Sequence, residues 1–406
     1  TRTGKTLVAF ELAKLIGGSF LFVTKKGAQA SIQKDWEECG GGEELTSINI
    51  ESIHKVDALT RWKLIIIDEC HHGISGFPKQ SKAFTGLQRL FRKSGAKALL
   101  MSGTVAMETR AQLFHEFNVT CRGPFTEFET FYHWWNPTHH YKRPTRCGGY
   151  GTYGAFKSVG ADMKVVDYAD VNDSKIESEI SGYVVTMTRE EANYEIQNAT
   201  IIPVKLDNDK IRMLIKMIRE HNIINIYDSE GIERTCVYFG PAQILQACHM
   251  IAGGTLIDDQ GEAFVLADAY WPEYRIEWIA EGIDLSKSYA ILTAYIEERE
   301  FIRSRLDNVH DTLEELKESG SGVWVGSLSS NAEGVDMHWL TGSQIIYSLV
   351  WSGSKFSQIC DRQLNFKRTT PAKVAIPLLK GGIDENVLDA VQGKKNFNAS
   401  FFKAMK

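Results

Sequence analysis

The sequence predicts an α/β protein built from two parallel-sheet domains, and three observations carry that prediction. Lys63–His72 reads KLIIIDECHH, with four apolar residues, Leu64 to Ile67, running straight into Asp68 and Glu69. Short apolar runs of this kind recur along the chain and alternate with stretches of helical spacing. A length of 406 residues is that of two or three domains and is enough to bury two substantial cores.

The Leu64–Ile67 run is uniformly apolar, which predicts a strand buried on both faces in the middle of a parallel sheet. Two carboxylates at the carboxyl end of such a strand stand where open α/β sheets bind ligands. Taken alone, the stretch reads equally well as a core strand ending in a solvated acidic turn.

Thr1–Thr6, TRTGKT, changes that balance. Gly4, Lys5 and Thr6 fill the last three places of the phosphate-loop pattern GxxxxGK[ST]. Gly4 would let the backbone approach phosphate oxygens, Lys5 would reach the β- and γ-phosphates, and the Thr6 hydroxyl would hold Mg²⁺. Thr3, Gly4, Lys5, Thr6 and Asp68 are thus candidate nucleotide-binding residues. The following LVAFELAKLI has helical spacing, so its N-terminal amides would face the anion. The chain has no initiator Met and opens inside this motif, which suggests a fragment of a longer protein. In this chemistry Asp68 would hold Mg²⁺ bridging the phosphates, and Glu69 would orient and deprotonate the attacking water.

In chain order, FLFVT (Phe20–Thr24) is a strand, Ala28–Cys39 a helix, Leu45–Ile50 a strand and Glu51–Val56 a short helix. ALLMS (Ala98–Ser102) is a strand ending in Ser102-Gly103-Thr104, and Leu113–Phe125 continues the first domain. From about residue 130 to 161 the character changes. HWWNPTHHYKRPTRCGGYGTYGAFKSVG has no acidic residue and interleaves Lys142, Arg143 and Arg146 with Trp134, Trp135 and Tyr141. Aromatics among basic residues suit base stacking and phosphate contact; a plain surface insertion is the other reading. His133, His139, His140 and Cys147 fit no standard zinc spacing.

The second half begins with Ile201–Lys205 as a strand and Asp209–Glu220 as a helix. Pro241–Ile251 is helical, Gly254–Leu266 a hairpin, Ala290–Ala294 a strand and Glu297–Leu306 a charged helix. Helix Asp311–Ser319 leads to a strand at Gly322–Gly326, and Gln344–Trp351 (QIIYSLVW) is a further buried strand. The predicted domains are residues 1–198 and 199–406.

Composition excludes several classes. Charged residues are 24% and hydrophobic residues 43%, ordinary for a globular chain, and no apolar run approaches a membrane span. Seven scattered cysteines without a CxxC pair argue for a reducing compartment rather than a disulfide scaffold or zinc ribbon. The net charge of −5 means that nucleic-acid binding would need a local basic cleft.

TRTGKT, VTKK (Val23–Lys26), DECHH (Asp68–His72) and SGT (Ser102–Thr104) together resemble motifs I, Ia, II and III of the superfamily-two helicases. SLSSNAEGVDMHW (Ser327–Trp339) resembles motif V, with Gly334 and Asp336 in register, and SQICDRQLNFKR (Ser357–Arg368) resembles motif VI, with Gln358 and Arg362 in register. The resemblance covers nearly the whole chain and implies two RecA-like domains with an ATP cleft between them. It implies that His71, Ser102 and Thr104 couple nucleotide state to nucleic-acid movement. Lys25, Lys26 and the stretch Asn49–His54 would fall on the nucleic-acid backbone, and Gly334, Asp336 and Gln358 would serve the nucleotide. Arg362 would reach the γ-phosphate. The family's second arginine, three residues on, is here Asn365, which leaves Arg368 as a substitute.

The flanks IESIHKV, QLFHEFNV and IDENVLDAVQGKKNF look closest to Swi/Snf-like helicases of bacteriophages. That likeness implies DNA as the polymer, ATP and Mg²⁺ as cofactors, phage replication or recombination proteins as partners, and the host cytoplasm as location. A duplex translocase without strand separation, an ATP-dependent nucleic-acid clamp and a GTPase-like switch are the rivals. DECH and the motif V and VI stretches disfavour the switch.

Overall fold

The computed structural model describes residues 4–57, 60–74, 81–103, 113–120, 140–143, 156–159, 162–166, 180–185, 198–267, 270–328, 336–364, 368 and 370–393; at 72, 140–143, 156–159, 162–166 and 354 it describes the backbone alone. The chain divides into two compact units, Thr1–Asn193 and Tyr194–Lys406. Among the described residues no helix is long and apolar enough to cross a membrane.

The first unit runs α1 (Lys5–Ile16), β1 (Phe20–Thr24), α2 (Gln29–Glu38), β2 (Leu45–Asn49), β3 (Leu64–Ile67), α3 (His71–Ile74), α4 (Lys82–Ser94), β4 (Lys97–Leu100) and α5 (Leu113–Asn118). Its main sheet has the order β2-β1-β3-β4, with every neighbouring pair parallel. Residues of β1 and β3 alternate between two cores. Phe20, Phe22, Leu64 and Ile66 pack with Phe10, Ala13, Ile32 and Trp36 of α1 and α2. Leu21, Val23, Ile65 and Ile67 pack with Phe84, Leu87, Leu90 and Phe91 of α4. Burial on both faces is the reason these strands are continuous apolar runs, and each such side chain contributes roughly 2 kcal/mol. The strand before Asp68 therefore lies inside the sheet, as its composition predicts. Beyond α5, β5 (His140–Arg143), β6 (Phe156–Val159) and β7 (Asp162–Val166) form an antiparallel sheet of order β5-β7-β6.

The second unit opens with β8 (Thr200–Leu206) and α6 (Asp209–His221). Two hairpins follow, β9 (Ile223–Tyr227) with β10 (Glu233–Val237), and, after α7 (Pro241–Gly253), β11 (Thr255–Ile257) with β12 (Ala263–Val265). Then come α8 (Trp271–Gly282), β13 (Ser288–Thr293), α9 (Ile296–Arg305), β14 (Val309–His310), α10 (Leu313–Ser319), β15 (Gly322–Ser327) and β16 (Gln344–Ile346). The unit closes with α11 (Gly353–Cys360), β17 (Lys373–Leu379) and α12 (Ile383–Gln392). Six strands form one wholly parallel sheet, in the order β14-β15-β13-β16-β17-β8. Ala290, Leu292, Ile346, Val374 and Ile376 face α11 and α12, while Tyr289, Ile291, Val323 and Ile345 face α8 and α9. Two parallel sheets covered by helices are the predicted α/β class and are consistent with RecA-like domains.

One predicted strand is too long. QIIYSLVW ends as a strand at Ile346; the Tyr347 amide still donates to Leu292 O of β13 at 2.9 Å, and the contacts beyond it are to side chains. The Tyr347 carbonyl accepts from Arg275, and Ser348 Oγ accepts from Ala294 N at 2.8 Å while donating to Glu298.

Candidate nucleotide site

The site is assembled at the carboxyl ends of β1, β3 and β4, the edge where parallel sheets bind ligands. Gly4 precedes α1 with φ +76°, a conformation that favours glycine, and no side chain among the described residues caps the helix. The first amides of α1 therefore remain available to an anion. From the first position of that helix, Lys5 extends its Nζ to 3.6 Å from Glu69 Oε1. This ammonium is buried and makes no hydrogen bond among the described residues, the state expected of a cation shaped to receive phosphate.

Asp68 and Glu69 form the turn that leaves β3. The Asp68 amide donates to Val23 O at 2.9 Å and the Cys70 amide to Met101 O at 3.1 Å, so the turn is stitched to β1 on one side and to the end of β4 on the other. Glu69 has φ +46°, left-handed backbone that a glutamate rarely adopts. Strain of this kind marks a position that the surroundings impose.

Burial pushes the Asp68 carboxyl up to about 6, and the neighbouring Glu69 charge adds to the rise. Lys5 and a Thr24 hydroxyl 3.4 Å from Asp68 Oδ2 pull the other way. A half-desolvated carboxylate beside a second one is stabilised by a hard cation. The oxygen donors offered by Asp68 and Thr6, the second residue of α1, suit Mg²⁺.

Behind the carboxylates, His71 Nδ1 lies 2.6 Å from Ser102 Oγ and 3.4 Å from Glu69 Oε2. Burial drives the imidazole down to about 4, with Lys25 and Lys5 contributing and Glu69 opposing, so the ring is neutral at physiological pH. His71 thus joins the acidic turn to the residue just past β4.

Lys25 follows β1 and begins a 3-10 turn, with Lys26 exposed beside it. Asn49 caps the 3-10 turn Ile50–Lys55, accepting from Glu51 N at 3.3 Å. Both segments stand on the same sheet edge as the acidic turn. Thr3, Thr104 and Trp134 lie outside the described residues, as do His133, His139 and Cys147; Lys142 and Arg143 fall on β5.

In the second unit, Gln358 on α11 is buried, and its amide nitrogen and oxygen have no hydrogen-bond partner among the described residues. Arg362 sits in the 3-10 turn Asp361–Gln363, and its carbonyl accepts from Met337 N at 3.0 Å. Arg368 donates to Thr370 O at 2.8 Å, His338 O at 3.0 Å and Pro371 O at 3.4 Å, so its guanidinium ties its own loop to the segment before β16. Asp336 Oδ1 lies 2.9 Å from His338 Nδ1. Gly334 lies outside the described residues.

The chain matches no protein-family model and no curated protein. Among solved structures it is similar to the C-terminal part of the Fun30 ATPase domain, over 50% of this chain and 91% of that one, at 10% identity and a TM-score of 0.36.

Sequence reasoning missed three residues of this site. Thr24 carries the hydroxyl beside Asp68, Cys70 anchors the turn, and Glu116 on α5 lies behind Cys70. Thr24 had a signal, as the single polar residue of the otherwise apolar FLFVT. Glu116, one acid in LFHEFN, had none that separates it from a solvated position.

Proposed function

We propose that this chain is the motor of a nucleic-acid-dependent ATPase, a helicase or translocase that acts on DNA. The observation that carries the reading is the approach of Lys5 Nζ to Glu69 Oε1, at 3.6 Å, on the ligand-binding edge of a parallel sheet. Lys5 and the first amides of α1 bind the β- and γ-phosphates of ATP. Thr6 and Asp68 would hold Mg²⁺, which would supply positive charge to the phosphates. Glu69 takes a proton from the attacking water as its oxygen bonds to the γ-phosphorus. The bond from that phosphorus to the β–γ bridging oxygen breaks, and ADP leaves.

His71 and Ser102 pass the state of the Asp68–Glu69 turn to the end of β4 and so to the segment that begins at Thr104. Arg362, by its likeness to motif VI, contributes positive charge to the transition state. The resemblance of the motifs favours DNA, and Lys25, Lys26, Trp134, Lys142 and Arg143 are the residues proposed to meet it.

ATP hydrolysis measured with and without single-stranded DNA, duplex DNA and RNA tests the reading. Strong stimulation by DNA supports it, and strand displacement separates a helicase from a duplex translocase. Hydrolysis indifferent to all three polymers would show that the chain is not a nucleic-acid motor.

A further inference from the structure

A carboxyl that the proposed reaction does not use holds the Asp68–Glu69 turn from behind. Glu116 on α5 is 4% exposed, and burial pushes it up to about 8, so it is a neutral acid at pH 7. Its Oε2 accepts from Cys70 Sγ at 3.6 Å, and its Oε1 has no hydrogen-bond partner among the described residues. Cys70 is one peptide from Glu69. Its side chain packs in the core with Ile67, Ile74 and Phe84, and its carbonyl accepts from the amides of Gly73 and Ile74.

The frame around this contact is firm. Ser81 Oγ donates to Gly73 O and accepts from Phe84 N, tying α3 to the start of α4. Gln88 Nε2 donates to Asn118 O at 3.3 Å, and the His115 ring meets Phe84 edge-on, holding α5 against α4. Glu69, by contrast, stands in backbone that its own preference would leave.

A buried carboxyl with one unsatisfied oxygen lowers stability, and an apolar side chain of similar volume would serve the fold better. Its one described side-chain partner is the thiol beside the candidate base.

We propose that Glu116 is a positioning residue, which through Cys70 Sγ fixes where the Glu69 carboxylate stands relative to Lys5. The proposal rests on the nucleotide reading of that turn. The test compares the chain with its Glu116→Leu and Glu116→Gln variants, and uses Lys5→Ala as a reference.

In Glu116→Leu, backbone amides of 68–74 are expected to exchange hydrogen faster without nucleotide, while the melting temperature does not fall. The kcat for ATP drops about tenfold or more, as misplaced catalytic groups do. The KM stays within about twofold. Glu116→Gln, whose amide oxygen accepts from the same thiol, restores exchange and kcat together. Unchanged exchange in Glu116→Leu overturns the proposal. So does a parallel loss of kcat and melting temperature that Glu116→Gln does not rescue. If Lys5→Ala leaves hydrolysis unchanged, the nucleotide reading fails, and the exchange comparison still decides whether Glu116 holds the turn.

Discussion

Both units place acids at or just beyond the carboxyl ends of central parallel strands, and they use them in opposite ways. In the first unit Lys5 and Glu69 keep side-chain exposures of 25% and 22%. In the second, Arg275, Glu298 and Asp384 are 1%, 2% and 6% exposed. Arg275 donates to Ala252 O, Tyr347 O and Pro377 O and lies 4.1 Å from the Tyr347 ring centroid. Glu298 accepts from Ser348 Oγ and from Tyr295 N, and Asp384 accepts from Leu379 N. His249 Nδ1 meets Tyr295 OH at 2.8 Å.

These contacts bind the loops after β13 and β16, and β17 itself, to α7 and α8. The same residue types at the same place in the same fold class are thus open in one unit and sealed in the other. Position in a parallel sheet nominates a site; access and an unsatisfied cation decide whether it is used for chemistry.

Substitutions should separate the two. Lys5→Ala should lower ATP turnover by about 100-fold or more, the scale for losing one preorganised donor at a developing charge. Its urea midpoint should match that of the parent chain, since the Lys5 side chain is 25% exposed and its ammonium makes no hydrogen bond among the described residues. A coincident loss of stability would make Lys5 a structural residue and erase the contrast.

Arg275→Met should do the reverse. Removing the guanidinium takes a buried donor from the Tyr347 and Pro377 carbonyls and a positive charge from beside Glu298 and Asp384, which costs about 3 kcal/mol or more in denaturant unfolding. Nucleotide affinity should remain unchanged. If affinity falls while stability holds, the second cluster belongs to a binding site.

The pH dependence is a finer probe. Burial raises Glu298 to about 7 from its ordinary 4.5, with Ser348 and Arg275 opposing. Its stabilising contribution is complete below about pH 4.5 and is lost as pH rises through about 7. Asp384, raised to about 6 by burial, acts in the same direction. His249, lowered to about 4 by burial, acts in the opposite one, losing its contribution as pH falls from 6.5. Subtracting the unfolding curve of Glu298→Gln from that of the parent isolates the first effect. The difference should decline across that window, and a flat difference would show that Glu298 does not titrate with folding. The smallest effect is expected from Thr24→Val, which removes one hydrogen bond to Asp68 worth about 1 kcal/mol, or roughly a fivefold fall in kcat.

How much of this was legible in the sequence follows from what each residue packs against. The Leu64–Ile67 strand was legible because burial on both faces requires an unbroken apolar run. The end of β16 was not. Tyr347 and Ser348 look like strand residues, and only the three-dimensional placement of Arg275 and Glu298 shows that the Tyr347 carbonyl and the Ser348 hydroxyl are engaged by side chains rather than by a neighbouring strand.

The β9–β10 hairpin also escapes a search for apolar runs, because Ile224 and Ile226 face the core while Asn225 and Tyr227 face solvent. Its turn does carry a local signal. Asp228 Oδ1 accepts from the amides of Glu230 and Ile232 around Gly231, and Asp258 repeats the arrangement in the β11–β12 turn with Gln260, Glu262 and Gly261. Arg234 then bridges Asp228 and Asp258. In the candidate nucleotide site, Lys5, Asp68 and Glu69 were singled out by their motifs, and the structure brings them together on one sheet edge. Glu116 and Arg275 were not, since a single charge in a helix looks the same whether it meets water or a core.

Lys5 is proposed to bind phosphate and Glu69 to activate water. Binding and hydrolysis of radiolabelled ATP by Glu69→Gln tests this most directly. The variant should bind ATP with an affinity like that of the parent chain and hydrolyse it about 100-fold or more slowly. Hydrolysis at the parent rate would show that Glu69 is not the base and that the carboxylates at the end of β3 are not the centre of the reaction.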